Sequence, residues 1–491
     1  MQDRRNKEKV VKELTQIAID LATSLGASYA DIRIIETKME DITVRNGEIA
    51  DLDEIDDLGF GIRVIVDGAW GFASSHKVSK DEIERVTALA VKIARASSSL
   101  KVKDVTLTPE EVYQEKWQTP FVEDPFSVSM EDKMDLLFRL DEILRKNPKI
   151  KVAESTLSFA NEHQYLRTSE GTYIDQNLMR SGTGYLVRAV DGHEMQTRSY
   201  PNSFRGQFMS MGYELVRALP LLQNAERIRE EAVALLSAKQ CPSGKKTLIL
   251  DGSQLGLQIH ESVGHATELD RVLGMEANYA GTSFATPEKL DNFTYGSPIV
   301  NLFCDSTIPG GLATIGFDDD GVRAQRWHLV KNGQFVGYQF NRELAHTIGK
   351  TRSSGNNRAG WDRIPIVRIT NLSLEPGDWE LEDMIAGTDD GVLMETNKSW
   401  SIDQRRLNFQ FGCEIGWEIK NGKKGNMVKN PTYQGITPEF WKSCDAIANH
   451  KYFTLWGVHN CGKGQPGQRA EMSHGAAPAR FQNTEIGVAK E

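Results

Sequence analysis

The chain has 491 residues, of which 39% are hydrophobic and 26% charged, and a formal net charge of −10. That is the make-up of a soluble globular protein long enough for two or three domains. The acidic balance lacks the Lys/Arg-rich excess that nucleic-acid binding needs, and no run of about 20 apolar residues is available to span a membrane.

In chain order, the charged start Met1–Lys9 carries no apolar signal region. Val10, Val11, Leu14, Ile17, Ala18, Leu21 and Leu25 recur at helical spacing, with Gly26 placed to end the helix. A strand is expected from Ala30. Asn46-Gly47 and Asp67-Gly68 read as tight hairpin turns between strand-like runs. Ser79 with Glu82 predicts a capping box for a helix to about Ala96. Pro109, Pro120 and Pro125 keep the next connection irregular, and a helix is expected from about Met130 to Lys146. Alternating segments and an Asp191-Gly192 turn follow, then an amphipathic helix from about Leu221 to Lys239.

Gln240-Cys241-Pro242-Ser243-Gly244 breaks this pattern. The division is therefore placed between residues 240 and 241. The fold class expected is α+β in two domains. Residues 1–240 form a mixed domain with largely antiparallel strands, and residues 241–491 form a mainly β domain carrying one special helix. Asn332-Gly333, Pro376-Gly377 and Asn421-Gly422 punctuate the second half. The five cysteines are scattered and form no C-x-x-C pair. They argue against a disulfide framework and for a reducing compartment, the cytoplasm.

The special helix follows the apolar run Thr247–Leu250 and contains His260-Glu261-Ser262-Val263-Gly264-His265. Neutral imidazoles ligate Zn²⁺ well, and a neighbouring carboxylate can deprotonate an activated water. In the H-E-x-x-H helix of zinc proteases the histidines stand at i and i+4, about 40° apart around the helix; here they stand at i and i+5, about 140° apart. An undistorted helix cannot aim both at one ion. A π-bulge or break would absorb the extra residue, and Gly264 offers backbone freedom there. From these residues alone, a metal site and two solvated histidines remain equal alternatives.

Three segments together resemble the TldD/PmbA family of metalloproteases. They are His260–Asp270 with its H-E-x-x-x-H pattern, the Gly316–Gly321 and Gly333–Tyr338 region, and Asn460-Cys461-Gly462-Lys463-Gly464-Gln465. The resemblance extends over essentially the whole chain. It implies the motif-bearing, TldD-like kind rather than its motif-lacking PmbA-like (TldE) partner. On that resemblance His260, His265 and Cys461 are the expected Zn²⁺ ligands and Glu261 the catalytic general base. Gly462 and Gly464 suggest a loop that lets Cys461 approach closely. Glu268 is an alternative ligand or a second-layer partner of an imidazole N–H, the latter preferred, and Asp270 has the same two readings. His459 is a candidate for substrate contact. The family further implies a zinc-dependent peptidase acting on small or unfolded peptides. It also implies a heterodimer with a PmbA/TldE-like chain, a homodimer being the variant, around a cleft to which residues 1–240 contribute.

The rival function is a non-catalytic regulatory subunit of the gyrase-modulator type with a structural metal; a hydrolase of non-peptide amides is a third. Asp318-Asp319-Asp320-Gly321 lacks the spaced ligands of a calcium loop and reads as an acidic turn. Ser353–Arg358 reads as a polar loop or a cleft lining. Gly182-Thr183-Gly184 is not a dinucleotide fingerprint, and no phosphate loop is present.

Overall fold

The computed structural model describes residues 2–489. Helix Gln2–Ser24 ends before Gly26, whose φ is +92°. In Asn46-Gly47 and Asp67-Gly68 every residue has positive φ (53° and 81°, 49° and 73°), the hairpin geometry that matches strand twist. These turns join strands Tyr29–Arg45, Glu48–Val66 and Ala69–Ser75. The first sheet runs Ala69–Ser75, Glu48–Val66, Tyr29–Arg45, Ile150–Thr168, Tyr173–Asp191, Gln114–Gln118, with two short strands also on Tyr173–Asp191. Its pairings are antiparallel except that of Gln114–Gln118, an element with no signal in the sequence.

Period-two alternation gives this sheet two different faces. Ile32, Ile34, Ile42 and Val44 point to one side. There Gln2–Ser24 and Lys80–Ser98 cover one end and Met130–Leu144 and Leu221–Ser237 the other. Strands of 17 to 19 residues extend about 60 Å at roughly 3.3 Å per residue, more than one helix pair can cover. Residues 31, 33, 35, 37 and 39 point to the other side, toward the second half of the chain. The capping box at Ser79 does not form. Ser79 is the N-cap in extended backbone, but its side chain makes no cap bond, and Glu82 is taken instead by Arg85 at 2.7 and 2.8 Å.

In the second half Asp390–Ile402, Gly244–Leu250, Ala479–Val488, Pro431–Ile436 and Asn408–Lys420 pair in that order, and the last also pairs with the first, so the path closes. Only Gly244–Leu250 against Asp390–Ile402 and a short Lys239–Gln240 contact are parallel. Helix Gly252–Ile259 leaves this ring directly after Leu250 and is buried along its whole length. Asp251 caps it, accepting from Ser253 N at 2.9 Å. A separate hairpin, Thr454–Lys463 with Gln468–Ala476, packs on it. Among the described residues, no helix is long and apolar enough to cross a membrane.

The two halves meet through buried charge. Arg33 reaches Asp319 at 3.2 Å, and Arg63 reaches Asp31 at 2.8 Å and Asp320 at 2.7 Å. The acidic turn expected at 318–320 is present, but it is enclosed rather than solvated.

Candidate metal centre

The helix that begins at Gly252 changes its winding at the histidine motif. His260–Gly264 is a π-helical turn, in which the N–H of His265 donates to the carbonyl of His260, five residues back. The insertion brings the i, i+5 imidazoles onto one side, their ring centroids 4.7 Å apart at 80°. Widening the turn frees carbonyls, and side chains from outside satisfy them. Tyr295 Oη donates to Ser262 O at 2.6 Å, and Gln339 Nε2 to Gly264 O at 2.9 Å. Gly264 serves a purpose other than backbone freedom. Its φ and ψ are ordinary right-handed values, but a Cβ there would stand 2.8 Å from Ile369 Cδ1.

Cys461 lies on strand Thr454–Lys463, not in a loop, where the register shifts between Val458 and Cys461. Such a bulge re-aims a side chain. Its Sγ lies 3.5 Å from His265 Nε2. One ligand atom each from His260, His265 and Cys461 falls within 4.8 Å of the others, and all three residues are buried.

Hydrogen bonds beyond the cluster set the tautomers. His474 Nδ1 lies 3.1 Å from the carbonyl of Leu372, which can only accept, so Nδ1 carries a proton. Burial pushes the pKa of His474 well below the usual range, so the ring is neutral and its Nε2 accepts from His260 Nδ1 at 2.7 Å. That leaves the Nε2 lone pair of His260 free to face the cluster. On the other imidazole, His265 Nδ1 lies 2.7 Å from Glu268 Oε2, which likewise frees Nε2.

Glu268 is fully buried and held in turn by Lys463 Nζ at 3.0 Å; the same ammonium reaches Asp270 at 2.7 Å. Glu268 and Asp270 thus stand behind the cluster rather than among its donor atoms. The Cys461-Gly462-Lys463 segment supplies one donor and also the cation that fixes the carboxylate behind another. His474 and Lys463 escaped sequence reading because a lone histidine in a strand-like run and a lysine after a glycine carry no spacing signal.

The cluster suits a cation. Burial pushes the Cys461 thiol up, but His265 and His260 override it and hold the thiol well below its usual range. Burial lowers His260, yet the Cys461 thiolate raises it on balance. A buried thiolate flanked by two imidazole nitrogens is a soft, N/S donor set of the kind Zn²⁺ prefers.

The cluster opens into a cavity of about 280 Å³. Glu261 lies on its wall, buried and ion-paired with Arg406 Nη1. Arg406 has φ +61° in the turn between Asp390–Ile402 and Asn408–Lys420. Asp403 braces that turn by accepting from the N–H groups of Arg405, Leu407 and Asn408 at 2.9–3.0 Å. Burial lowers the pKa of Arg406 even with Glu261 beside it. In sequence, Arg405-Arg406 looks like any exposed basic turn. Phe204 and Trp400 stand at the mouth, 37% and 46% exposed, with ring centroids 5.5 Å apart.

His459 lies elsewhere. It stacks on Phe208 at 4.1 Å and lines a second, larger cavity of about 370 Å³, together with Gly355, Asn356 and Arg358 from the polar stretch 353–358.

Three models of one family match the chain: PmbA/TldA metallopeptidase domain 1 over residues 30–94, its central domain over 123–239 and its C-terminal domain over 243–487. A metalloprotease of Methanocaldococcus jannaschii is 29% identical over 452 residues, 92% of this chain and 95% of that one. A zinc metalloprotease TldD homolog of Saccharolobus solfataricus is 22% identical, covering 96% and 98%. Among solved structures, one described as a modulator of DNA gyrase from Thermotoga maritima aligns with TM-score 0.77 at 17% identity, covering 97% and 100%. TldE from Thermococcus kodakarensis aligns with TM-score 0.70 at 17% identity, covering 96% and 100%. With all three domain models matched in order and relatives aligned nearly end to end, the chain belongs to the PmbA/TldD family of metallopeptidases.

Proposed function

We propose that this chain is a zinc-dependent peptidase acting on short or unfolded peptides, with His260, His265 and Cys461 as the metal ligands and Glu261 as the general base. One observation carries the reading. Three buried donor atoms converge beside a cavity on whose wall a carboxylate stands. A structural zinc site is closed by four protein ligands; among the described residues three gather here. That favours an open, catalytic position over the regulatory subunit with a structural metal.

A bound Zn²⁺ would polarise the scissile carbonyl and acidify a water beside it. Glu261 accepts the proton of the attacking water and returns it to the nitrogen of the leaving amine. Arg406 holds that carboxylate on the cavity wall. His474 and Glu268 keep each imidazole in the tautomer that presents Nε2. Phe204 and Trp400 offer an apolar mouth to peptide side chains. The solvated, extended form of a short peptide suits a cavity of this size, whereas a folded chain does not enter it.

We further propose that the chain divides functionally between residues 240 and 241, that it works with a PmbA/TldE-like partner, a homodimer being the alternative, and that it resides in the cytoplasm. Five buried free cysteines, with a thiolate at the centre of the site, fit a reducing compartment.

The test measures bound metal and peptide hydrolysis on one set of proteins, with and without a co-expressed partner. Glu261→Gln should keep about one zinc per chain and lose about 10²–10⁴-fold in kcat. Cys461→Ala should lose both metal and cleavage. Cleavage that survives Glu261→Gln sinks the mechanism.

A further inference from the structure

The larger cavity, about 370 Å³, is within the size range of small-ligand sites. It lies between the inward face of the first sheet, at Ile35 and Met39, and the hairpin that carries Cys461. Its own carboxylates are committed. Glu162 holds Arg358 at 2.8 Å and Arg180 at 3.5 Å, and Arg180 also holds Glu471 at 2.6 Å. Asp362 pairs with Arg363, and Asp57 accepts from Trp361 Nε1 at 2.7 Å.

Two guanidinium groups remain. Arg469 is exposed and Arg368 is 1% exposed, and neither forms an ion pair among the described residues. Arg368 Nη2 donates to the carbonyl of Cys461 at 2.6 Å, while its Nε and Nη1 have no partner. His459 Nδ1 on the same lining is also unpartnered. A buried guanidinium without a counter-ion is costly unless an anion completes it. Guanidinium is the side chain best matched to carboxylate.

We infer that this cavity is an anion-binding subsite for the carboxylate of a peptide, held by Arg368 and Arg469. The inference rests on the peptidase reading for its choice of ligand. Cys461 links the two sites. Its Sγ belongs to the donor cluster, and its carbonyl anchors the arginine of the second cavity.

The experiment uses the full chain and reads binding and cleavage separately. Calorimetry on the Glu261→Gln protein compares three probes: N-acetyl-tetraalanine with a free C-terminus, the same peptide as its C-terminal amide, and N-acetyl-Ala-Ala-Ala-Glu amide. The free acid should bind about tenfold or more tighter than the amide, and Arg469→Gln should abolish that preference. Preference for the glutamyl amide instead would carry the same subsite with a side-chain carboxylate as its source. Arg368→Met should abolish the preference too, and because it also removes the donor to the Cys461 carbonyl, its thermal midpoint is measured alongside so that loss of folding is told apart from loss of the subsite. Equal binding of all three probes, or a preference that both arginine variants retain, overturns the subsite. Cleavage by the unaltered chain, assayed with and without its co-expressed PmbA/TldE-like partner, reports on the peptidase reading independently. A carboxylate preference without cleavage leaves the subsite standing and removes the enzyme; cleavage without preference does the reverse.

Discussion

Two buried polar clusters lie in this molecule, and they differ in where their atoms point. Around Asp318–Asp320 nearly every acceptor is matched. Asp318 takes the N–H groups of Asp320, Val322 and Asn357 at 2.9–3.0 Å. Asp319 takes Arg33, Gln164 and the N–H of Ala359, and Asp320 takes Arg63. Around His260 the outer atoms are matched as carefully, through His474, Glu268 and Lys463, but the inner ones face each other. Three donor atoms lie within 4.8 Å of one another, a thiolate among them, an arrangement that suits a shared cation. The first cluster is a closed set and fastens the two halves of the chain. The second is matched on its outside and turns its three donor atoms toward one another at its centre, an arrangement suited to a ligand rather than to fastening the fold.

Breaking the closed cluster should produce the largest effect. Arg63→Met leaves Asp31 and Asp320 buried without their cation, and it should cost about 3–5 kcal/mol of stability, read by thermal or denaturant unfolding. Burial pushes Asp320 up, but Arg63 overrides it and holds the carboxyl below its usual range. In the unaltered protein this group therefore stabilises the fold above the unfolded pKa, and that contribution fades as pH falls through the folded one. Without Arg63 burial prevails and the folded pKa rises above the unfolded value. The folded state then binds the extra proton, so the deficit should be greatest near neutral pH and shrink toward pH 4. A constant deficit across that window would show that Arg63 acts by packing alone.

The open cluster should respond differently, with metal affinity falling before stability. His474→Phe removes the acceptor of His260 Nδ1 and should weaken zinc binding about 10–100-fold, measured by competition with a chelator. His474→Gln retains an acceptor and should lose less. If both variants bind zinc as the unaltered chain does, His474 packs the site but does not orient His260.

The sequence displayed these clusters unequally, and the reason is physical. The turn dipeptides Asn46-Gly47 and Asp67-Gly68 are legible because positive φ at two successive residues restricts what can stand there. The distorted helix is legible because two histidines five apart cannot share a side of a regular helix. The groups that complete the site come from distant strands and turns. His474 follows His260 by 214 positions and Arg406 follows Glu261 by 145, and no local periodicity relates such pairs. The placement of Cys461 failed for a similar reason. Glycines at 462 and 464 suggest a loop, whereas the chain continues as a strand whose bulge turns the thiol inward. Ser79 and Glu82 have the right spacing for a capping box, but Arg85, about one helical turn beyond Glu82, competes successfully for the glutamate.

The smallest effect we expect comes from Gly264, and it separates two explanations of the π-turn. If the turn needs glycine for its backbone, alanine should be poorly tolerated whatever surrounds it. The backbone there is ordinary right-handed helix, which alanine favours over glycine. The obstacle is instead Ile369, whose Cδ1 would stand 2.8 Å from the new Cβ. Overpacking of that kind costs about 1–3 kcal/mol in a rigid core; because the colliding atom is the end of a flexible side chain, the cost should lie at the lower end, about 1 kcal/mol. Gly264→Ala should therefore be mildly destabilised in thermal unfolding, and combining it with Ile369→Val, which removes Cδ1, should recover most of the loss. Two substitutions whose costs merely add would show that the winding itself requires glycine. Recovery would show that the extra residue between the histidines is accommodated by the packing around the turn, which the partners of Ser262 and Gly264 at Tyr295 and Gln339 already support from outside.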